Sequence, residues 1–328
     1  MLRHFYFYRS DSPCPWRNLA LEEYVLNNLP PETCVLYLYQ NEQTVVIGKN
    51  QNAWKECRHQ LLADEGGKLA RRISGGGAVY HDMGNLNFSF IVSREDYDLN
   101  RQLSVILNAV KSLDISAEFS GRNDILSEGA KFSGNAFCFR KDSAFHHGTI
   151  LIGADMSQLA RYLSVSKDKI ASKGVESVRS RVCNLCERNP AIDVDRMAEA
   201  LKNSFEQVYG PCEPLVIDRP EEVDAIEARN ATWEWQLGQS PKFDIETGTR
   251  FSWGNAELQF SLQNGVVTHA SVFSDAMDAD FIAGLPEALT GCVFRSDALA
   301  QRLRALPGTP EQRAMAEDIA AFLTERGY

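Results

Sequence analysis

The chain has 328 residues, enough for two domains, and its 44% hydrophobic and 24% charged residues are typical of a globular protein and exclude a disordered one. With 34 basic and 44 acidic residues the formal net charge is −10, which argues against a nucleic-acid-binding surface, because such a surface requires clustered Lys and Arg. The eight cysteines are scattered, and neither a secretory signal nor an apolar run of about 18 residues is present, so we expect a cytoplasmic protein with reduced thiols and no membrane partner.

The N-terminal quarter predicts alternating strands and helices. Residues 4–8 are expected to form a strand, and a helix from Trp16 to about Asn28 follows, with Leu19, Ala20 and Tyr24 on its buried side. Pro30-Pro31 ends this helix. Further strands are predicted at 35–40 and 44–48, and a partly helical segment at 51–63.

The stretch Arg71 to Phe90 reads RRISGGGAVYHDMGNLNFSF. The three glycines Gly75 to Gly77 allow positive φ and close approach of a ligand to the backbone, and two arginines precede them. Backbone N–H groups of such a loop and a neighbouring Arg can hold an anion. Residues 78–81 and 86–90 flank Asp82 to Asn85, which predicts a β-hairpin whose second strand has one buried face.

The centre of the chain carries a predicted amphipathic helix followed by two charged residues, Asp124 and Lys131. Leu99, Leu103, Ile106, Val110 and Leu113 first predict a helix packed on a sheet. Asp124 follows in Gly-Arg-Asn-Asp and has three interpretations: metal ligand, hydrogen-bond acceptor or turn residue. Lys131 then begins a predicted strand, 131–140, which turns at 141–143 into a second strand, 144–152.

His146 and His147 are adjacent on that second strand and therefore point to opposite faces, so they are not expected to bind one metal ion. We expect one of them to face a pocket. Asp155 is predicted to cap the next helix. Residues 166–181 are rich in Lys, Arg, Ser and Gly, which is typical of a surface loop, and Cys183 and Cys186 form a single CxxC that favours ordinary thiols over a zinc or redox site.

The C-terminal part begins with a predicted helix at 197–208. We place a domain boundary near Ile245, after an aromatic, turn-rich segment. Beyond it we expect strands at 250–253, 256–263 and 266–274, with Asn264-Gly265 as a hairpin turn, and helices near 280–285, 296–304 and 311–326.

Five motifs, in this order along the chain, closely resemble those of the lipoate-protein ligase A family: RRISGGGAVYHDMGNLNFSF, then Gly121 to Asp124, Lys131 to Ala136, His146 to Thr149, and Lys173 to Val182. The resemblance implies a mixed α/β (α+β) catalytic domain of the biotin/lipoate ligase type, related to the class II synthetase core, over residues 1–245. It also implies a small α/β accessory domain over 246–328. Fewer residues separate Asp124 from Lys131 than in some members of the family, which leaves the local loop geometry open.

The resemblance further implies the site residues. Lys131 matches the family's adenylation lysine, and an ammonium suits that place because it can contact both the carboxylate and the α-phosphate that react. The segment 173–182 matches the loop that covers the adenylate. The expected ATP and adenylate contacts are Arg72, Gly77, Ala78, Val79, Tyr80, Asn85, Asp124, Lys131, Lys173 and Arg181. The expected lipoate contacts are Arg71, Arg72, Ser74, Gly75, Gly76, Lys131, His147 and Gly148, with an apolar tunnel from Val79, Phe88 or Phe90.

The implied activity is ATP-dependent formation of lipoyl-AMP, followed by transfer of the lipoyl group to a lysine of acyl-carrier domains of 2-oxoacid dehydrogenases or of the glycine cleavage H protein. Mg²⁺ is expected to be bound mainly by phosphates, with Asp124 as the protein ligand to consider. We expect a monomer. A transferase of the same fold, using preformed lipoyl-AMP or a carrier thioester, stays open as an alternative, as does a non-catalytic lipoate or adenylate sensor. Biotin ligation is disfavoured by the glycine signature.

Overall fold

The computed structural model describes residues 2–120, 124–163, 182–237, 244–263 and 265–328, without the side chains of Trp54 and Lys55. Residues Gly121 to Asn123, the segment 166–181 and the turn residue Asn264, on which expectations were placed, lie outside the described residues. No helix in the described ranges has the length and apolar content needed to cross a bilayer.

The described strands are β1 (His4–Arg9), β2 (Thr33–Tyr39), β3 (Thr44–Ile47), β4 (Lys68–Arg71), β5 (Val79–His81), β6 (Asn85–Ser93), β7 (Glu118–Ser120), β8 (Asp124–Ser127), β9 (Ala130–Phe139), β10 (Ser143–Leu151), β11 (Glu213–Pro214), β12 (Ile245–Phe251), β13 (Gly254–Gln263) and β14 (Val266–Ser274). The described helices are α1 (Pro15–Asn27), α2 (Ala53–Glu56), α3 (His59–Asp64), α4 (Leu99–Ser112), α5 (Met156–Tyr162), α6 (Val194–Tyr209), α7 (Pro220–Asn230), α8 (Trp233–Gln236), α9 (Ala279–Leu289), α10 (Ser296–Arg304) and α11 (Pro310–Arg326).

The described residues form two compact units. The first comprises Met1–Ile47, Trp54–Arg72 and Ala78–Gln236, and the second comprises Gly48–Ala53, Ile73–Gly77 and Leu237–Tyr328. The second unit therefore includes two short segments from the N-terminal third of the chain. One of them is the glycine-rich loop.

A mixed sheet dominates the first unit. Among the described residues eight strands form it, in the order β11-β1-β2-β6-β10-β9-β8-β7, and a three-stranded sheet has the order β4-β3-β5. One face of the large sheet packs on α4 and α6 around Leu36, Phe90, Ile106 and Phe205, each fully buried. An aspartate caps the N-terminus of each of these helices. Asp98 accepts a hydrogen bond from Arg101 N in α4, and Asp193 accepts one from Arg196 N in α6.

The predicted hairpin at 78–90 is wrong. Strand β5 pairs with β3 in the small sheet, whereas β6 pairs with β2 and β10 in the large sheet. Gly84, in the turn between them, lies so close to the next chain segment that an added Cβ would be 2.2 Å from Gly153 O. This close approach brings the turn against the end of β10, so that the following residues join the large sheet. Every residue of β6 is buried, so the expectation of one buried face is also wrong.

In the second unit, an antiparallel sheet in the order β12-β13-β14 packs on α9, α10 and α11 around Leu258, Phe260, Ile282 and Ile319. The predicted first strand is displaced: β12 ends at Phe251, and Gly254, at φ 155°, begins β13. The helix α7 was not predicted, although Pro220 stands at its first turn, a position that suits proline.

Candidate active site

The face of the large sheet opposite α4 and α6 carries a row of buried polar side chains. In β6, Asn85, Asn87 and Ser89 are at most 2% exposed and alternate with Leu86, Phe88 and Phe90, which lie in the core. Ser89 is directly opposite His147 of β10, and Asn87 is opposite Thr149. Since Phe88 and Phe90 face the other side, the expectation that they line a tunnel beside these polar groups is wrong.

Helix α1 covers part of this polar face. The hydroxyl of Tyr37 donates to Asn18 O at 3.3 Å, and that of Ser143 donates to Leu26 O at 2.8 Å. Between these two contacts, both carboxylate oxygens of Glu22 lie within 3.0 Å of Nδ1 of His147. Glu22 is 1% exposed, so the helix closes a polar compartment against the sheet.

Three further ionisable side chains, Arg72, His81 and Tyr39, lie in this compartment. Burial lowers the pKa of Arg72 to about 10, which Tyr39 and Glu22 partly offset. Burial also lowers the pKa of His81 to about 3, and the neighbouring Arg72 and His147 act in the same direction. Burial raises the pKa of Tyr39 well above its usual value. His81 is therefore neutral at pH 7, and Arg72 remains a cation.

Some buried polar atoms of this face have no hydrogen-bond partner in the described part of the chain. They are His81 Nε2, Asn85 Oδ1 and Ser89 Oγ. Buried polar atoms are nearly always satisfied in folded proteins, so such atoms indicate a place where a ligand or water binds. The compartment thus has the polar groups expected of a small-molecule site.

Lys131 reaches the same face through an irregularity in β9. Ile125 of β8 pairs with Ser133, but the next residue, Leu126, pairs with Lys131, so Phe132 is an extra residue in the ladder. This β-bulge allows Phe132 to be fully buried in the core while Lys131 and Gly134 point to the opposite face. Asp124, paired with Gly134, shares that face, and its Oδ1 lies 2.6 Å from Lys131 Nζ.

Two glycines keep the backbone close beside Lys131. A Cβ added at Gly134 would be 3.0 Å from Lys131 Nζ, and one added at Gly148 would be 2.6 Å from Gly134 O. Thr149 Oγ1 accepts a hydrogen bond from Gly134 N at 3.3 Å. Side chains larger than glycine would therefore displace the lysine or separate β9 from β10.

The other predicted site residues are placed differently. Arg71 donates to the carbonyls of Trp235 and Gln236, so part of its guanidinium holds the end of α8. Ser74, Gly75 and Gly76 belong to the second unit, as does Gly77. Ala78, Val79 and Tyr80 lie at the edge strand β5. Lys173 and Arg181 lie outside the described residues.

The two histidines lie on opposite faces, as predicted. His147 belongs to the polar compartment, whereas His146 contacts Asn135 at 2.8 Å and Gln102 at 3.2 Å on the core side and stacks on Phe90 and Phe137. Within the described ranges, no group of three or more His, Cys, Asp or Glu residues is arranged to hold a metal ion.

Sequence reasoning missed Glu22, Tyr39, His81 and Ser89 as members of this site. Glu22 left a usable signal, because it lies three residues after Leu19 and four before Leu26 and so interrupts the apolar stripe of α1 with a charge. His81 lies within the same glycine-rich stretch as Arg72, but its environment also depends on Asn41 and His147, which are distant in sequence.

Comparison with known proteins decides the family. Residues 14–206 match the model of the lipoyl protein ligase A/B catalytic domain. The chain belongs to this family. Residues 240–323 match the bacterial lipoate protein ligase C-terminus, so the ligase resemblance and the mixed α/β fold predicted from the sequence are confirmed.

Solved structures of related proteins show the same architecture. The structure of P. falciparum LipL1 in complex with lipoate is 29% identical, with a TM-score of 0.86 over 98% of this chain and 99% of that one. A bi-partite lipoate protein ligase from Thermoplasma acidophilum, described with its E2 lipoyl domain, is 27% identical, with a TM-score of 0.64 over 75% and 100%. A putative lipoate protein ligase from T. acidophilum with bound lipoic acid is 25% identical, with a TM-score of 0.61 over 73% and 99%.

Proposed function

We propose that this chain is an ATP-dependent lipoate-protein ligase. In the first step a lipoate carboxylate oxygen attacks the α-phosphorus of ATP, giving lipoyl-AMP and pyrophosphate. In the second step the neutral ε-amine of an acceptor lysine attacks the lipoyl carbonyl, giving an amide and AMP. Membership of the family and the lipoate-bound relatives support lipoate as the substrate.

The observation that carries the proposal is the orientation of Lys131. The bulge at Phe132 turns this ammonium towards the polar face of the sheet, with Asp124 as its partner at 2.6 Å. Lipoate and ATP are both anions, so their approach requires a cation that contacts the reacting oxygens as charge builds up between them. Lys131 is a third exposed, which leaves it accessible to such a ligand.

The remaining roles follow the same chemistry. The residues proposed to bind lipoate are Arg71, Arg72, Ser74, Gly75, Gly76, His147 and Gly148. Those proposed to bind the nucleotide are Arg72, Gly77 to Tyr80, Asn85, Lys173 and Arg181. Mg²⁺ would supply charge neutralisation on the phosphates and would be held mainly by their oxygens. Asp124 is the carboxylate that could join it, because this side chain contacts Lys131 and is partly exposed.

The acceptors are proposed to be lipoyl domains of E2 subunits and the glycine cleavage H protein. A T. acidophilum relative is described with an E2 lipoyl domain, which supports this class of partner. We also propose that residues 1–245 form the catalytic domain and residues 246–328 the accessory domain.

The test is lipoate-dependent ATP–pyrophosphate exchange without an acceptor. Lys131→Ala should lower the exchange rate by about two to three orders of magnitude, the usual effect of removing such a donor. Lys141→Ala, at the exposed turn between β9 and β10, is the matched control and should leave the rate unchanged. A wild type that shows no exchange but modifies an acceptor domain when given lipoyl-AMP would instead be a transferase, and the ligase proposal would be rejected.

A further inference from the structure

The glycine-rich loop is held by the C-terminal part of the chain. Gly76 N donates to Ala276 O at 3.3 Å, and Lys49 N donates to Ser74 O at 2.8 Å. All four residues belong to the second compact unit. The conformation of the loop is therefore set by residues outside the glycine stretch itself.

Backbone packing around the loop is close enough to require glycine. A Cβ added at Gly75 would be 2.2 Å from Ala276 O and 2.9 Å from Met277 O. A Cβ added at Gly48 would be 2.3 Å from Gly76 O. Contacts this short are essentially never made by a real Cβ, so these glycines are needed to accommodate neighbouring backbone, whatever ligand the loop binds.

The hydroxyl of Ser274 fixes the backbone of Ala276, the residue whose carbonyl accepts the hydrogen bond from Gly76. Ser274 Oγ donates to Asn255 O at 2.6 Å and accepts a hydrogen bond from Ala276 N at 3.0 Å. The backbone N of Ser274 also donates to Asn50 O at 2.8 Å. Ser274 is 5% exposed, so these bonds are shielded from water. They link the end of β14 to β13 and to the segment that follows Lys49.

We propose that Ser274 is a positioning residue for lipoate. It fixes the backbone of Ala276, whose carbonyl accepts the hydrogen bond from Gly76, and so holds the loop in its ligand-binding conformation. The inference deepens the proposed function, since it rests on lipoate binding to residues 74–76. It assigns a part in substrate recognition to a side chain in the sequence region of the accessory domain.

The experiment compares Ser274→Ala, Ser274→Thr and Ser271→Ala in the full-length protein. Ser271 is the matched control because it lies on the same strand and its hydroxyl contacts His269 Nε2 at 3.3 Å in an exposed pair. Loss of the two shielded hydrogen bonds of this hydroxyl should raise the KM for lipoate in ATP–pyrophosphate exchange about tenfold. The kcat at saturating lipoate should stay within about twofold of wild type, and Ser274→Thr should restore the KM.

Hydrogen exchange at the Gly76 amide provides a readout that does not depend on activity. We expect the Gly76 amide to exchange about tenfold faster in Ser274→Ala than in the wild type, and at the wild-type rate in Ser271→Ala. An unchanged KM together with unchanged exchange at Gly76 would overturn the inference. If the wild type shows no lipoate-dependent pyrophosphate exchange, the proposed function fails, whereas the Gly76 amide still tests the role of Ser274 in the loop. If Ser274→Ala does not fold, Ser274→Cys, which weakens the hydrogen bonds at similar size, replaces it.

Discussion

Lys131 Nζ and Asp124 Oδ1 are 2.6 Å apart on neighbouring strands, and they meet because the bulge at Phe132 shifts the register of β9 by one residue. In a regular strand, residues three positions apart point to opposite faces, so without the bulge Lys131 and Gly134 would lie on opposite faces of β9. The ion pair therefore depends on the fold of β8 and β9 rather than on the spacing of the two residues alone.

Asp124→Asn should lower the catalytic rate while leaving the stability of the protein almost unchanged. Both side chains of the pair are just over a third exposed, at 34% and 38%. The free energy of unfolding should therefore change by less than about 1 kcal/mol. The exchange rate should fall about tenfold, because the lysine is no longer held at the site. Urea unfolding and ATP–pyrophosphate exchange measure the two effects. Asp142→Asn, in the β9–β10 turn, should alter neither, and a large loss of stability with a normal rate would contradict the assignment.

His81 should make the protein less stable in acid. Burial, with Arg72 and His147, lowers its pKa from 6.5 to about 3. Between these two pH values the unfolded chain binds a proton at His81 and the folded chain does not. The stabilisation is complete above pH 6.5 and is lost progressively as the pH falls towards 3, by about 1 kcal/mol for each pH unit.

Urea unfolding at pH 7, 5.5 and 4.5 on the wild type and on His81→Gln tests this dependence. His146, whose pKa is also lowered to about 3 by burial, is retained in both proteins, so the difference between the curves isolates His81. Parallel curves for the two proteins would rule out the predicted contribution.

Alanine should be tolerated at one end of the glycine-rich loop and not at the other. Gly75→Ala brings a Cβ within 2.2 Å of Ala276 O, whereas nothing lies within 4 Å of a Cβ at Gly77. We expect Gly75→Ala to lower the free energy of unfolding by about 1–3 kcal/mol and Gly77→Ala to change it by less than about 0.5 kcal/mol. Chemical denaturation measures both, and equal effects of the two substitutions would show that the close approach to Ala276 is absent in solution.

Truncating Glu22 should destabilise the protein more than truncating the adjacent Glu23. Glu22→Ala removes the buried partner of His147 and a counter-charge of Arg72, which should cost about 3 kcal/mol. Glu23 pairs with Arg229, whose side chain is 38% exposed, so Glu23→Ala should cost about 1 kcal/mol or less. Thermal or urea unfolding compares the two, and Glu22→Gln, which keeps an acceptor for His147, should recover part of the loss.

The sequence predicted the local elements better than their partners. The stripe from Leu99 to Leu113 and the cap at Asp155 depend on neighbours a few residues apart, and both were confirmed. The pairing of β5 with β3 depends on residues more than thirty positions away, which no local pattern encodes, and the strong turn at Asp82 to Asn85 suggested a hairpin instead.

The sequence predicted the site residues that lie within a motif, but not those that the fold brings together from distant parts of the chain. Lys131 and His147 lie within quoted motifs and share one face of the sheet. Glu22 and Tyr39 join them only because α1 and β2 pack beside β10 and β6. The role of Ser274 depends on hydrogen bonds to Asn255 and Ala276, and a serine at a strand end carries no such information.

Strand β6 is buried on both sides, with the core against one face and the polar compartment against the other. A surface strand can accumulate substitutions on its solvent side while its core side stays fixed. Strand β6, from Asn85 to Ser93, has no solvent side on which substitutions are free. One set of alternate residues is constrained by core packing, and the other by its proposed role in ligand recognition. In a saturation library scored separately for abundance and for activity, substitutions at Leu86, Phe88 and Phe90 should reduce both scores, and those at Asn85, Asn87 and Ser89 should reduce activity first.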